Sequence, residues 1–164
     1  MEHTLIIGLG NPDPILENTY HNVGALAVES IAKEAFRPYK GIFSYVKIDG
    51  KTFVRPLIFM NESGIAVKEA MRVFKAKPEN IVIIHDDSDL PVGGVKYSTG
   101  GGSAGHKGIK SIIEHIKTSE FARVRIGIRE KDEEHRKKAE EFVLSLITKK
   151  DQAIFKNIFS GLTL

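Results

Sequence analysis

Apolar and polar positions along this chain change period several times, and each change marks an element. His3 to Gly8 is a short apolar run closed by glycine, which reads as a buried strand. From Asn22 to Phe36, Val23, Ala27, Ile31 and Ala35 recur at helical spacing with Leu26 and Val28 beside them. This predicts a helix that ends before Pro38, with Asn22 as its N-cap. Ile42 to Ile48 and Thr52 to Ile58 flank Asp49-Gly50, a dipeptide tolerant of positive φ, and read as an antiparallel hairpin. Ser63 to Ala76 predicts a second helix, capped by Ser63, with Ala66, Ala70, Val73 and Phe74 on one face and Pro78 just beyond.

Ile81 to Ile84 is the most strongly apolar β-branched run and is expected to form a central strand, bounded by the polar residues His85-Asp86-Asp87-Ser88-Asp89. Val95 to Ser98 predicts a short edge strand. Thr99 to Gly105 is a glycine-rich loop leading into a helix whose Ile109, Ile112, Ile113 and Ile116 share a face. Ala122 to Ile128 reads as a strand. Ala139, Phe142, Val143 and Leu146 mark a further helix, and Ile154, Phe155, Ile158 and Phe159 a last one. Strands and helices alternate but include a hairpin, so the expected fold is α/β, a single domain over residues 1–164 with a mixed sheet sandwiched between helices. Sites in such sheets gather beyond strand ends, and the polar motifs are expected in those loops.

Composition narrows the picture only slightly. With 164 residues, 41% hydrophobic and 27% charged, the chain suits one cored domain. The absence of cysteine excludes disulfides and thiolate metal sites and suits a reducing cytoplasm. The start is unlike a secretory signal, and no stretch approaches the roughly 20 apolar residues of a membrane span, so a soluble, cytoplasmic protein is expected. A net charge of +3 and a pI near 9.0 suit an anionic partner without demonstrating one.

The candidate chemistry sits at the element ends. Gly8-Leu9-Gly10-Asn11-Pro12-Asp13 follows a strand, but its third glycine position is Asp13, and Pro12 and Pro14 remove amide donors that a pyrophosphate would need. Asn11 at that exit can instead bond a ligand or make a plain turn. His21 is a candidate general base provided a carboxylate partner is available, and the acids after His85 offer one; His85 is itself an alternative base. The His and Asp spacing matches no specific metal-ligand pattern. Phe59-Met60-Asn61-Glu62-Ser63-Gly64 is a second polar cluster after a strand. Gly100 to Gly108, with His106 and Lys107, is the most unusual stretch, and such flexibility marks close backbone contact or motion. Arg123 and Arg125 alternate onto one strand face, where paired guanidinium groups suit phosphate.

Taken in order, GLGNP, HNVG, FMNESG, HDDSDLP, GGGSAGHKG and RVRIGI resemble the bacterial peptidyl-tRNA hydrolase family along nearly the whole chain. The resemblance implies a metal-independent, cofactor-free hydrolase that cleaves the ester between peptide and tRNA, with peptidyl-tRNA as its partner and a monomer as the working form. It assigns His21 as base on a water and Asp86 as the group that orients its imidazole. It places Asn11, Met60, Asn61, His106, Lys107 and Arg125 against the substrate. The chain departs from the family's pattern at Leu16 (usually Tyr), Tyr20 (usually Arg), Ser98 (usually basic) and Lys107 (usually Asn), and it stops at Leu164 where the family runs on into a further helical segment. Loss of the cation at 98 leaves Arg125 as the remaining half of the family's phosphate clamp. The competing expectation is an RNA-binding member of the same fold with weakened catalysis.

Overall fold

Side chains of the first strand, β1 (Thr4–Gly8), alternate between two faces, and both faces are buried: Leu5 and Ile7 enter one apolar cluster, Ile6 another. A strand buried on both sides belongs in the middle of a sheet with helices above and below. In the computed structural model, which describes residues 3–130 and 137–164, β1 does lie there. It runs parallel to β4 (Lys51–Pro56) on one side and β5 (Ile81–Pro91) on the other. Beyond β5 comes β7 (Ala122–Arg129), also parallel, and then β6 (Val95–Thr99), antiparallel at the edge. Beyond β4 come β3 (Phe43–Ile48) and β2 (Arg37–Tyr39), both antiparallel. The seven strands thus form a mixed sheet in the order β2-β3-β4-β1-β5-β7-β6.

Helices α1 (Val23–Ala32) and α5 (Lys149–Gly161) cover one face, where Val23, Ala27, Phe155 and Phe159 pack on Ile6, Ile84 and Ile126. Helices α2 (Ser63–Phe74) and α3 (Lys107–Ile116) cover the other, where Ala66, Val67, Ile109 and Ile112 pack on Leu5, Ile7 and Ile83. Each fully buried Leu or Ile here stabilises the fold by roughly 1.5–3 kcal/mol. Helix α1 lies unusually close to the sheet: a Cβ on Gly24 would fall 2.2 Å from the Ile84 carbonyl oxygen, and one on Gly8 2.1 Å from that of Gly24. That contact sets the height of the residues just before α1, His21 among them.

Several boundaries differ from those the pattern predicts. Helix α1 ends at Ala32, not Phe36, because Lys33 takes a left-handed φ of 54° and its N–H closes the last turn on Glu29. Neither predicted cap acts through its side chain: Asn22 bonds the main chain of Asn11, and Ser63 lies inside the first turn of α2 with its hydroxyl donating to the Met60 carbonyl. The largest correction concerns His85 to Asp89, which lie within β5 rather than in a loop beyond it. Their backbone pairs in register with β7 through Asp87, and after an irregularity again at Pro91–Arg129. Polar side chains are tolerated there because Asp86 and Asp87 find charged or hydrogen-bonding partners in His21, His106 and Arg125. The helix expected around Ala139 is a single turn, α4 (Ala139–Phe142). The hairpin turn is as expected, with φ of 48° at Asp49 and 77° at Gly50.

Candidate functional site

The chain leaving β1 turns at Gly10-Asn11, and Asn11 is held through both its main chain and its side chain. Its main-chain N–H donates to Asn22 Oδ1 (2.8 Å) and its carbonyl accepts from Asn22 Nδ2 (2.9 Å). Its own Oδ1 accepts from the Met60 N–H (2.9 Å). A backbone N–H can only donate, so the carbonyl end of the Asn11 amide faces Met60, and the –NH2 end is left to the cavity that Asn11 lines. Met60 is buried, and Asn61 sits exposed on the rim of the same cavity, in the 3-10 turn Met60–Glu62.

On the floor, Asp86 is nearly inaccessible and accepts from two rings: His21 Nδ1 at 2.9 Å on one oxygen and His106 Nε2 at 2.8 Å on the other. Burial raises its pKa, but the His21 and His106 imidazoles outweigh this and hold the carboxyl well below the usual carboxylate range. An ionised carboxylate cannot donate, so His21 carries its proton on Nδ1, leaving the Nε2 lone pair as its free nitrogen. His106 has the opposite tautomer. Its Nδ1 accepts from the N–H groups of Gly108 and Ile109 (3.1 and 3.2 Å), capping α3, so its proton is on Nε2 and points at Asp86. Both nitrogens of His106 are therefore engaged within the fold.

His85 is the third imidazole at this spot, with its ring 5.0 Å from that of His106. Its Nδ1 donates to the Asp86 main-chain oxygen (2.8 Å), and its Nε2 is buried without a partner among the described residues. Burial, together with the neighbouring His106, pushes its pKa down to about 3. A neutral ring with no accessible nitrogen is poorly placed to take a proton from substrate.

The glycine-rich loop forms one side of the cavity, whose volume is about 790 Å³. The buried Arg123 holds this loop from below, with Nη1 donating to the Gly102 carbonyl and Nη2 to that of Gly101, both at 2.7 Å. Arg125, two residues on and on the same face, also lines the cavity, but its Nε is committed to Asp87 (2.7 Å). The register of β6 on β7 sets Ser98 opposite Arg123 and Lys96 opposite Arg125. Lys107 is the exposed first residue of α3, at the mouth.

All eight residues to which the resemblance gives a role, Asn11, His21, Met60, Asn61, Asp86, His106, Lys107 and Arg125, line this one cavity. The sequence pattern did not reveal the wall opposite the loop. It is built by Ala139, Glu140, Val143 and Leu144, apolar or ordinary surface residues that carry no chemical signal of their own. Two of the departures from the resembled family lie outside the cavity lining: Tyr20 is buried in the core, and the Leu16 carbonyl accepts from the Thr19 hydroxyl.

Among the described residues, His21, Asp86 and His106 are also the set whose ligand atoms lie closest together, within 4.8 Å, as a metal would require. Both Asp86 oxygens are already taken by ring N–H donors, which is the pattern of a carboxylate that orients imidazoles. No described helix is long and apolar enough to cross a membrane.

Comparison with known proteins agrees with this arrangement. The family model described as peptidyl-tRNA hydrolase matches residues 5–163. The peptidyl-tRNA hydrolase of Persephonella marina is 38% identical over 161 residues, covering 94% of this chain and 84% of that one. That of Marinobacter nauticus is 43% identical over 132 residues, covering 76% and 67%. The crystal structure of peptidyl-tRNA hydrolase from Acinetobacter baumannii superposes with a TM-score of 0.84 at 30% identity, covering 98% of this chain and 85% of that one. A family model matched over nearly the whole length, relatives at 38–43% identity and a shared fold leave one assignment: this chain belongs to the peptidyl-tRNA hydrolase family.

Proposed function

We propose that this chain cleaves the ester between peptide and tRNA in peptidyl-tRNA with His21 as the general base, so that tRNA stranded by abortive translation is recycled. His21 Nε2 takes a proton from a water as its oxygen attacks the ester carbonyl. The carbon–oxygen bond to the ribose then breaks, and the imidazolium returns the proton to the leaving ribose oxygen. Asp86 holds the imidazole in the required tautomer and balances the charge it gains, and His106 holds Asp86 from its other oxygen. The observation that carries this reading is the Nδ1-to-Asp86 bond, which fixes the open lone pair of His21 at the cavity.

Negative charge builds on the carbonyl oxygen during attack, and the amide –NH2 of Asn11, preset by the Met60 N–H, is the best-oriented side-chain donor for it. Asn61 contacts the peptide or the terminal nucleotide from the rim. Met60 backs it with an apolar surface. Lys107 and the Arg125 N–H groups that Asp87 does not take meet phosphate. The chemistry needs neither metal nor cofactor, since base, orienting acid and donors all come from the chain. The reading takes the working form to be a monomer, for which a sedimentation mass near 18.2 kDa is expected. The substrate, a product of translation, supports the cytoplasm as the place of work.

The test is hydrolysis of an N-blocked aminoacyl-tRNA by His21→Ala. Release of tRNA should fall by about 100-fold or more while binding of uncharged tRNA stays near normal. Near-normal turnover in this variant would remove His21 from the role of base.

A further inference from the structure

Tyr20 immediately precedes His21, yet its side chain turns away from the cavity and is only 2% exposed. Its ring stacks on Phe142 (4.4 Å between centroids) and meets Phe155 edge-on at 6.1 Å. Its hydroxyl donates to Asp151 Oδ2 at 2.6 Å, in the first turn of α5, and accepts from the Thr148 N–H at 3.5 Å. Burial and the Asp151 carboxylate push the phenol pKa above its usual range, so the O–H remains a donor at any ordinary pH.

Around Tyr20, the main chain is laced to the segment that forms the wall of the cavity. The His21 N–H donates to the Val143 carbonyl (2.8 Å), the Tyr20 N–H to Ser145 (3.2 Å) and the Ile147 N–H to Asn18 (2.9 Å), and Thr19 and Leu146 form a β-bridge. Burial holds this strap only at its two ends, Phe142 and Ile147, while Leu144 is 50% exposed and Leu146 69%. Its anchors are the backbone bonds, the Phe142 ring under Tyr20 and the phenol on α5.

We propose that Tyr20 and Asp151 are positioning residues that lock this strap, and through it set both the main chain of His21 and the Val143–Leu144 wall for attack on the ester. Asp86 fixes one end of His21, its ring. The Val143 carbonyl fixes the other, its backbone, and that carbonyl is only as steady as the strap. A displacement of about 1 Å at a catalytic group costs on the order of 100-fold in rate, so looseness here is felt first in the chemical step.

The proposal rests on His21 as base and is tested beside His21→Ala, on the full chain with N-blocked aminoacyl-tRNA. Tyr20→Phe keeps the stacked ring and removes only the hydroxyl; Asp151→Ala removes its acceptor. Each should lower kcat by about tenfold with KM nearly unchanged, and the double variant should fall no further than the worse single, because both break one contact. Asp151→Asn, whose amide oxygen still accepts from the phenol, should retain most of the rate. Three outcomes overturn the proposal: kcat unchanged in both singles even where the melting temperature drops, a change confined to KM, or losses that multiply in the double variant. If His21→Ala alone remains active, the base assignment fails whatever these variants show. If His21→Ala is inactive while Tyr20→Phe and Asp151→Ala are not impaired, only the strap is refuted.

Discussion

Three imidazoles crowd the residue at position 86, and they are told apart by what the second nitrogen of each ring does. Among the described residues, that of His21 is unclaimed, that of His106 caps α3, and that of His85 is shut in without a partner. The last has a measurable consequence for stability. Unfolded, His85 has a pKa near 6.5; folded, burial pushes it down to about 3, so between these values the unfolded chain binds the extra proton. Its contribution is full above about pH 6.5 and is lost as pH falls toward 3. Chemical denaturation should show His85→Asn, which can still donate to the Asp86 carbonyl, losing about 2 kcal/mol less than the native chain between pH 7.5 and 5. Equal losses would mean that the ring is not held neutral. The sequence reveals Asn11, His21, Asn61 and Asp86 through the ordered motifs that carry the family resemblance, GLGNP, HNVG, FMNESG and HDDSDLP. It does not reveal that His106 faces Asp86 rather than substrate, since a tautomer depends on amides that only α3 brings into reach.

At the level of elements, hydrophobic period located nearly every strand and helix but not their ends. Ends depend on single-residue conformations, such as the left-handed Lys33, or on partners distant in sequence, such as β7 drawing β5 out to Pro91. The three-residue β2 is too short to show a period at all, and the period read from Ala139 to Leu146 overran a helix of a single turn, α4. The glycine of HNVG has a clear physical role, because Gly24 lets α1 lie against the Ile84 carbonyl. Gly24→Ala sets a methyl 2.2 Å from that oxygen, with backbone on both sides of the clash. It should destabilise the fold by about 3 kcal/mol or more in denaturant titration, since neither element can yield as a side chain would. A loss below about 1 kcal/mol would show that α1 can lift freely from the sheet.

For the whole molecule, a modest excess of +3 becomes useful only where the fold collects it, and Arg125 and Lys107 share one cavity wall and mouth. Arg125→Gln should weaken tRNA association and make the slope of log K against log salt shallower by roughly 0.7–0.9, the effect of one phosphate contact. An unchanged slope would return Arg125 to service as the partner of Asp87 alone. The sheet that gathers these charges also has two open borders, β2 and β6, and a bare strand edge is a template on which another chain can nucleate a fibre. Here one border is three residues long and interrupted by Pro38, which has no N–H to offer, and the other carries Lys96 between Val95 and Tyr97. Among the described residues, neither border is a long, uncharged edge on which a half-folded chain could add a strand.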